Sequence, residues 1–454
     1  MGVSGKNLKL GTSEAVLPSG YLLKYIEMEN FRGEVRDIQN IVIKFSITES
    51  LYSPTLTLNL SVKDSSNFIE EFPVLGMEMI RLRLEYVEYD TQIPKEIELE
   101  FFVTEYPTFG RPQEQHVQVW SLIGVSEQAY LSAYKKISRS FSGNTASEIE
   151  KICVRDLALP SDRFELIGEP ISKAQGIINI QHPLSAIEWF RSKTFDADFT
   201  PFYFFQRLDG KYNLVSHDYL VDINRNPRYQ TYYDSRGFST EALTPEDYAQ
   251  RITRVLSMTS TLKLSKLAQA HGGAYASRHM YVDYATKSYR YSTYDYLAQF
   301  QHEKTLETEE VLSKLFGVQG TPLNQYPNAY NEYISTNKLA YNDVLLNING
   351  LTESSRHKLN AYASLFNTYT HDISLHGDFK LNPGRRIEVK IPKAIDPQVY
   401  QSYTGKSPEK LYDDWMSADY LITSIIHKFE NSEYYVDLRV KRDSFTLDID
   451  SYGQ

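Results

Sequence analysis

Four places in the chain carry residue types that do chemistry in enzymes. Ser126 stands in Gly124-Val125-Ser126-Glu127-Gln128, a near approach to the Gly-x-Ser-x-Gly elbow that presents a serine nucleophile. The closing glycine is missing, and the segment ends a β-domain. His271-Gly272-Gly273 has the His-Gly-Gly pattern that supplies oxyanion donors in acyl transfer, but without an elbow it reads as a glycine pair in a loop. His371 and His376 flank a segment that reads as a strand; at that spacing they point to opposite faces and do not form a joint metal site. Asp413-Asp414-Trp415 offers carboxylates beside an aromatic ring, as carbohydrate cleavage requires. No second carboxylate can be placed across a cleft, so the pair reads as solvated.

The one cysteine, Cys153, rules out an internal disulfide framework. Ile149, Ile152 and Leu157 share its helical spacing, so it reads as a buried core thiol. No phosphate loop, dinucleotide fingerprint or zinc-finger spacing occurs. The expectation is a protein without catalytic residues, metal or cofactor.

Length and composition set the frame. The 454 residues allow three or four domains at about 150 residues each. A content of 41% hydrophobic and 23% charged residues is that of a soluble globular protein. No apolar run approaches the roughly 20 residues of a membrane helix. The polar start, Ser4-Gly5-Lys6-Asn7, lacks the apolar core of a signal peptide. Met1-Gly2 opens like a myristoylation signal, but Lys6 stands where Ser or Thr is needed. Assembly in a cytoplasm, with no membrane insertion, is expected. The net charge of −10 argues against general electrostatic binding of nucleic acid. Tyrosine is abundant, 35 against 22 Phe; the surplus suits extensive interfaces and equally suits strands.

The elements that must position these residues are mostly strands. Six consecutive stretches between Tyr21 and Val125 alternate apolar and polar residues with a period of two. Leu56, Leu58, Leu60 and Val62 interleave with Thr55, Thr57, Asn59, Ser61 and Lys63. The pattern continues through Ile41 to Thr48, Met79 to Val87, Glu96 to Val103 and His116 to Trp120, and predicts a barrel or sandwich. An arm (1–20) precedes this first β-domain (21–125). An α/β unit (126–250) follows, with a helix begun by Thr145 and Glu148 as a capping box and another begun at His182-Pro183. A hairpin turns at Asp209-Gly210. A second β-domain is discontinuous, taking a strand from 251–266 and four from 368–443. Between its parts lies a Tyr-rich insertion (267–367) ending in a helix from Ser354 to Asn367, with Leu359, Tyr362, Ala363 and Phe366 on one face. A tail (444–454) closes the chain. The fold class is mainly β with α/β insertions.

Three sets of residues resemble one known family. Thr48-Glu49-Ser50-Leu51-Tyr52, a strand ending in Lys63-Asp64-Ser65, and Gly76-Met77-Glu78-Met79-Ile80-Arg81-Leu82 resemble the opening of the baseplate central hub proteins of contractile-tailed bacteriophages. Gly377-Asp378-Phe379-Lys380-Leu381-Asn382-Pro383-Gly384, after the helix carrying Tyr362, is similar to the hub's helix–strand–turn–strand passage. Tyr420 to Phe429 is similar to its closing hairpin. The likeness covers the two ends of the chain in the expected order; the middle does not align, and the region after 267 is longer than in the family's best-known members.

The resemblance implies two tube-type antiparallel β-barrels per chain and a homotrimer that joins the six-fold tail tube to the three-fold central spike. The N-terminal half of type VI secretion spike proteins has the same architecture. It implies a virion location, with spike, tail tube and baseplate wedge components as partners and DNA passing through without specific binding. A hub of another contractile system, pyocin or type VI-like, would have the same residues. A β-rich glycan-binding protein or tail-associated hydrolase is the alternative of a different class. Glu96, Glu98 and Glu100 share one strand face opposite Ile97, Leu99 and Phe101. They are expected to face outward from the barrel core, either to the exterior or to a channel, whose acidic wall would repel phosphate.

Overall fold

The computed structural model describes residues 20–87, 93–110, 117–234, 253–262, 265–284, 286–300, 302, 304–315, 317–336, 348–366, 369–393, 412–430 and 433–447. The arm up to 19, His116, Lys263, Leu264, Asn367 and the tail from 448 lie outside the described residues.

The first unit consists of β1 (Tyr21–Glu29), β2 (Val35–Asp37), β3 (Val42–Ser50), β4 (Thr57–Asp64), β5 (Met79–Val87), β6 (Pro94–Gly110) and β7 (Gln118–Ser126). They pair antiparallel in the order β2-β1-β5-β6-β7-β4-β3. The period-two pattern causes this curl. Leu56, Leu58, Leu60 and Val62 are at most 1% exposed, while Asn59 and Lys63 face water. Leu60 lies opposite Phe45 of β3 and Leu122 of β7. Each such burial contributes roughly 1.5–3 kcal/mol, and a slip of one residue would expose the whole set.

The middle unit holds β8 (Ile137–Asn144), β9 (Phe164–Ile167), β10 (Lys173–Gln181), β11 (Phe202–Gln206) and β12 (Tyr212–Ser216). β11 and β12 form the hairpin turning at Asp209-Gly210, with Gly210 at φ 80°. Helix Thr145–Lys151, the π-helical turn Ile152–Asp156 that continues it, and helix Pro183–Arg191 pack Ile149, Ile152, Cys153, Ile187 and Phe190 into its core. Burial pushes the Cys153 thiol pKa upward. The expected capping box is replaced by another cap. Asn144 caps, its Oδ1 accepting from Ala146 N at 2.8 Å. Thr145 is buried, and its hydroxyl bonds Ser172 Oγ at 2.6 Å. Glu148 pairs with Lys151 instead of reaching back.

The second β unit begins with β13 (Thr231–Asp234), β14 (Arg254–Val255) and β15 (Ser257–Leu262). The insertion then contributes β16 (Ala276–Asp283), β17 (Ser288–Asp295), β18 (Gly317–Val318), β19 (Thr321–Pro322) and β20 (Asn331–Thr336). β21 (Tyr369–His376), β22 (Arg386–Lys390), β23 (Ala418–Glu430) and β24 (Glu433–Arg442) return to the second unit. β15 pairs with β21 across the insertion, and β21, β24, β23 and β22 follow antiparallel in turn. β13 adds to β22 in parallel.

In the insertion, β17-β16-β20 form a separate sheet. The helix that follows runs Ile348–Leu365, starting earlier than expected. Its inward face is also turned: Ala361, Tyr362, Leu365 and Phe366 are buried, Leu359 is half-buried and Ala363 is exposed. The helix serves two neighbours, the sheet through His357 and the middle unit through Tyr362 and Phe366, whose rings lie 4.2 and 5.3 Å from that of His217.

Candidate functional site

The residues with chemical potential are scattered. Ser126 is buried at the end of β7 and lines a cleft of about 260 Å³ with Glu98, Glu100, Gln128, Arg163 and Gln206. Neither His271 nor Asp414 lines that cleft. His271 is exposed at the end of helix Lys266–His271, and Gly273, at φ 79°, makes the turn after it. Asp414 is exposed and pairs with Lys393 at 3.1 Å; Asp413 Oδ1 accepts from the Trp415 and Met416 amides, closing a local turn. His371 and His376 lie on opposite sides of β21. Both ring nitrogens of His371 are engaged, by Ser260 Oγ and Tyr420 OH at 2.9 Å each, and burial lowers its pKa to about 4.

Buried polar chemistry concentrates instead where the two β units meet. β23 is the shared strand. β24 lies along one edge of it. Along the other edge, Ala418–Leu421 pair with β22, and Ser424–Glu430 pair with β3 of the first unit. The change of partner falls at Thr423, where the register with β24 also shifts. Such a bulge bends a strand and sharpens its twist. The carbonyls at the bulge are taken up: Thr423 O accepts from Leu51 N at 2.9 Å, and Ile422 O accepts from Gly384 N at 2.7 Å. Gly384 stands at φ 84° in the Asn382-Pro383-Gly384 turn, where a Cβ would come within 2.8 Å of Leu220 Cδ2. Only glycine fits both constraints.

Three units converge on one carboxylate at this joint. Glu49 of β3 and His427 of β23 are fully buried, with His427 Nε2 2.7 Å from Glu49 Oε1. His427 Nδ1 lies 2.8 Å from Tyr434 OH of β24. Glu49 Oε2 accepts the Leu208 amide of the middle unit at 3.0 Å. Such a pair fixes geometry more than it adds stability, but removing one partner leaves a buried polar group short of a hydrogen bond. Glu49 continues the inward set Phe45 and Ile47 of β3, so alternation places it on the buried face; its partner His427 is what the pattern does not show.

Aromatic rings close the same seam. Phe429 stacks on Phe45 at 4.5 Å and on Tyr434 at 4.7 Å, and Tyr21 meets it edge-on at 5.1 Å. Phe379 bridges Tyr434 at 4.4 Å and Tyr86 at 4.3 Å. Gly377 lets the chain pass this ring, since a Cβ there would overlap Tyr434 at 2.0 Å. Nearby, Asp419 holds Arg386 at 2.5 Å and Arg228 at 2.7 Å. Arg386 also donates to the carbonyls of Val221 and Leu306, at 3.0 and 2.5 Å, which ties middle unit, insertion and second unit together.

Glu96, Glu98 and Glu100 point outward, and Ile97, Leu99 and Phe101 point into the core. The carboxylates are not bare. Glu96 pairs with Arg83, Glu100 Oε1 lies 3.1 Å from Arg81 Nε, and Glu98 accepts from Tyr25 OH at 2.7 Å. The cross-strand registers of β1, β5 and β6 produce this ladder, which sequence alternation alone could not reveal. Among the described residues no group of three or more His, Cys, Asp or Glu is placed to hold a metal, and no helix is long and apolar enough to cross a membrane.

No protein-family model and no curated protein sequence matches the chain. Solved structures do match its fold. The tail protein from Neisseria meningitidis MC58 superimposes with a TM-score of 0.52 at 11% identity, over 93% of this chain and 97% of that one. The 43 kDa tail protein of prophage MuSo2 from Shewanella oneidensis gives 0.49 at 11% identity, over 92% and 98%. A component of the type VI secretion system from E. coli gives 0.41 at 10% identity, over 90% and 76%. The chain thus shares its overall fold with the Neisseria meningitidis tail protein, in line with the resemblance to baseplate hub proteins.

Proposed function

We propose that the chain is a structural hub of a contractile tail baseplate, a homotrimer that joins the six-fold tail tube to the three-fold central spike. The observation that carries this reading is the joint. Two mainly antiparallel β units share one strand edge, and their seam is buried, aromatic and crossed by the Glu49–His427 contact. Three such chains would present six β units around a three-fold axis. The seam would hold each pair in a fixed relation, as coupling between a tube and a spike requires. The partners are the spike, tail tube proteins and baseplate wedge components, in the virion tail.

The work is assembly and mechanical coupling without turnover. The dispersal of Ser126, His271 and Asp414 supports this part. Glu96, Glu98 and Glu100 are assigned to the wall of the channel, where their acidity would keep passing DNA from sticking. Light scattering tests the assembly: the expected mass is three times 52.5 kDa, alone or with the spike. A chain that is monomeric both ways would remove the reading. Ser126→Ala, His271→Ala and Asp414→Asn are expected to leave infectivity near wild type. A large loss with normal assembly would favour an enzyme.

A further inference from the structure

The sheet β17-β16-β20 has one covered face and one open face. Ser277, His279 and Tyr281 of β16 are buried, and His279 stacks at 3.7 Å on His357 of the helix Ile348–Leu365. Arg278, Met280 and Val282 alternate with them and turn to the other side. The registers place Tyr291 of β17 and Tyr333 of β20 on either side of Met280. Tyr289, Tyr291 and Tyr333 are 66%, 56% and 76% exposed. A contiguous exposed aromatic patch on a sheet face marks a docking surface. The composition of β17, Ser288-Tyr289-Arg290-Tyr291-Ser292-Thr293, is that of adaptable protein interfaces. Tyr supplies area at little entropic cost, and Ser and Thr supply hydrogen bonds.

Geometry narrows the occupant. Tyr289 and Tyr291 meet edge to face, 5.8 Å apart and 77° inclined, and the Arg278 guanidinium lies over the Tyr291 ring at 5.3 Å. Stacking of bases needs open ring faces, and the Arg278 guanidinium already covers one face of Tyr291. Charge narrows it further. Arg278 lies on this face and Lys287 at its turn, while Arg290, opposite Tyr281, belongs to the other side of the sheet. Asp295, on the same strand, is held by Asn324 Nδ2 at 2.8 Å and Ala298 N at 3.2 Å. A basic patch on a chain of net charge −10 is complementary to the acidic surface of a second copy. A ring of identical subunits closes only through heterologous contacts, in which one patch meets a different one.

We infer that the face bearing Tyr289, Tyr291 and Tyr333 docks on an acidic surface of a second copy of this chain. The inference rests on the ring reading and names one of its contacts. Sedimentation of the full chain tests it, comparing wild type with the triple variant Tyr289→Ser, Tyr291→Ser, Tyr333→Ser and with the reversal Arg278→Glu, Lys287→Glu. Wild type is expected to associate, and less so as salt rises. Both variants are expected to associate at least about 100-fold more weakly with unchanged circular dichroism. Variants that associate like wild type overturn this contact and leave the ring reading standing. A wild type monomeric at every concentration overturns the contact as a self-association surface, and the ring reading is then decided by imaging of the assembled tail. Binding of a labelled oligothymidylate that the triple variant loses also overturns it, since the face would then serve nucleic acid.

Discussion

The joint at β23 and the insertion around β16 attach one β element to its neighbours by opposite means. At the joint, strand pairing runs continuously from β22 through β23 to β3, aromatic rings fill the seam, and one buried Glu–His contact closes it. In the insertion, the helix Ile348–Leu365 meets its sheet through polar side chains. His357 bonds Ser277 Oγ at 2.6 Å and Ser292 Oγ at 3.0 Å, and Arg356 pairs with Glu332. Backbone ladders and apolar burial make cooperative, high-stability units; an attachment made by a few side-chain contacts without strand pairing opens more readily. The first attachment suits a rigid coupling and the second a part that adjusts on assembly.

The comparison breaks most easily at His427. His427→Ala leaves Glu49 buried with the Leu208 amide as its remaining partner. A loss of about 3–5 kcal/mol is expected in chemical denaturation. His427→Gln, which keeps a donor toward Glu49, is expected to cost less. Equal losses would mean that volume, not the pair, matters at the joint.

Acid should separate the two regions. Burial lowers the pKa of His279 to about 4, and that of His357 to about 3 with His279 itself a further cause. The groups facing them are Glu332, 3.6 Å from His279 Nε2, and Arg356, which pairs with Glu332. Both rings are neutral when folded and charge near 6.5 when unfolded. Their contribution is therefore present above about pH 6.5 and is lost as pH falls toward those folded values. With about 1.4 kcal/mol per pH unit for each ring, roughly 2–4 kcal/mol should be gone by pH 5. Beside the joint a single ring, His371 against Tyr420 of β23, is depressed in the same way, to about 4, so hydrogen exchange, corrected for intrinsic rates, should show β16 and β17 losing more protection at pH 5 than β3 and β23. Loss of protection at the joint first would reverse the comparison.

A backbone change sharpens it further. Gly377→Ala drives a methyl into the Tyr434 ring, and overpacking of this kind costs about 1–3 kcal/mol. The lost stability should appear in β23 and β24, with the insertion unaffected. The smallest effect is expected on the outer face. Replacing Glu96, Glu98 and Glu100 by Gln breaks exposed pairs, which are worth little, and should leave the denaturation midpoint within error. Replacement by Lys should fold equally well and slow genome passage at low salt if the face lines the channel. Unchanged ejection at low salt, in particles that assemble normally, would place it on the exterior.

Period two made the strands legible. β4 falls where Leu56 to Val62 alternate, and β23 and β24 where Tyr420 to Phe429 and Glu433 to Arg442 do. Cys153 is buried with Ile149 and Ile152, as helical spacing implies. What the sequence hides is set by partners far along the chain. Thr145 lost its capping role because Ser172 claims its hydroxyl. Ala363 faces water because the helix packs on two sides. Glu49 and His427 are 378 positions apart, and no local pattern connects them. The outward orientation of Glu96, Glu98 and Glu100 was legible from alternation; their partners Arg83, Tyr25 and Arg81 depend on strand order.

Electron cryo-microscopy of the assembled tail tests the central claim most directly. The expected map shows a three-fold ring at the junction of tube and spike, holding six β units, with β3 and β23 paired within each chain. A single copy of the chain at that level, or a ring in which β3 and β23 are parted, would contradict the account.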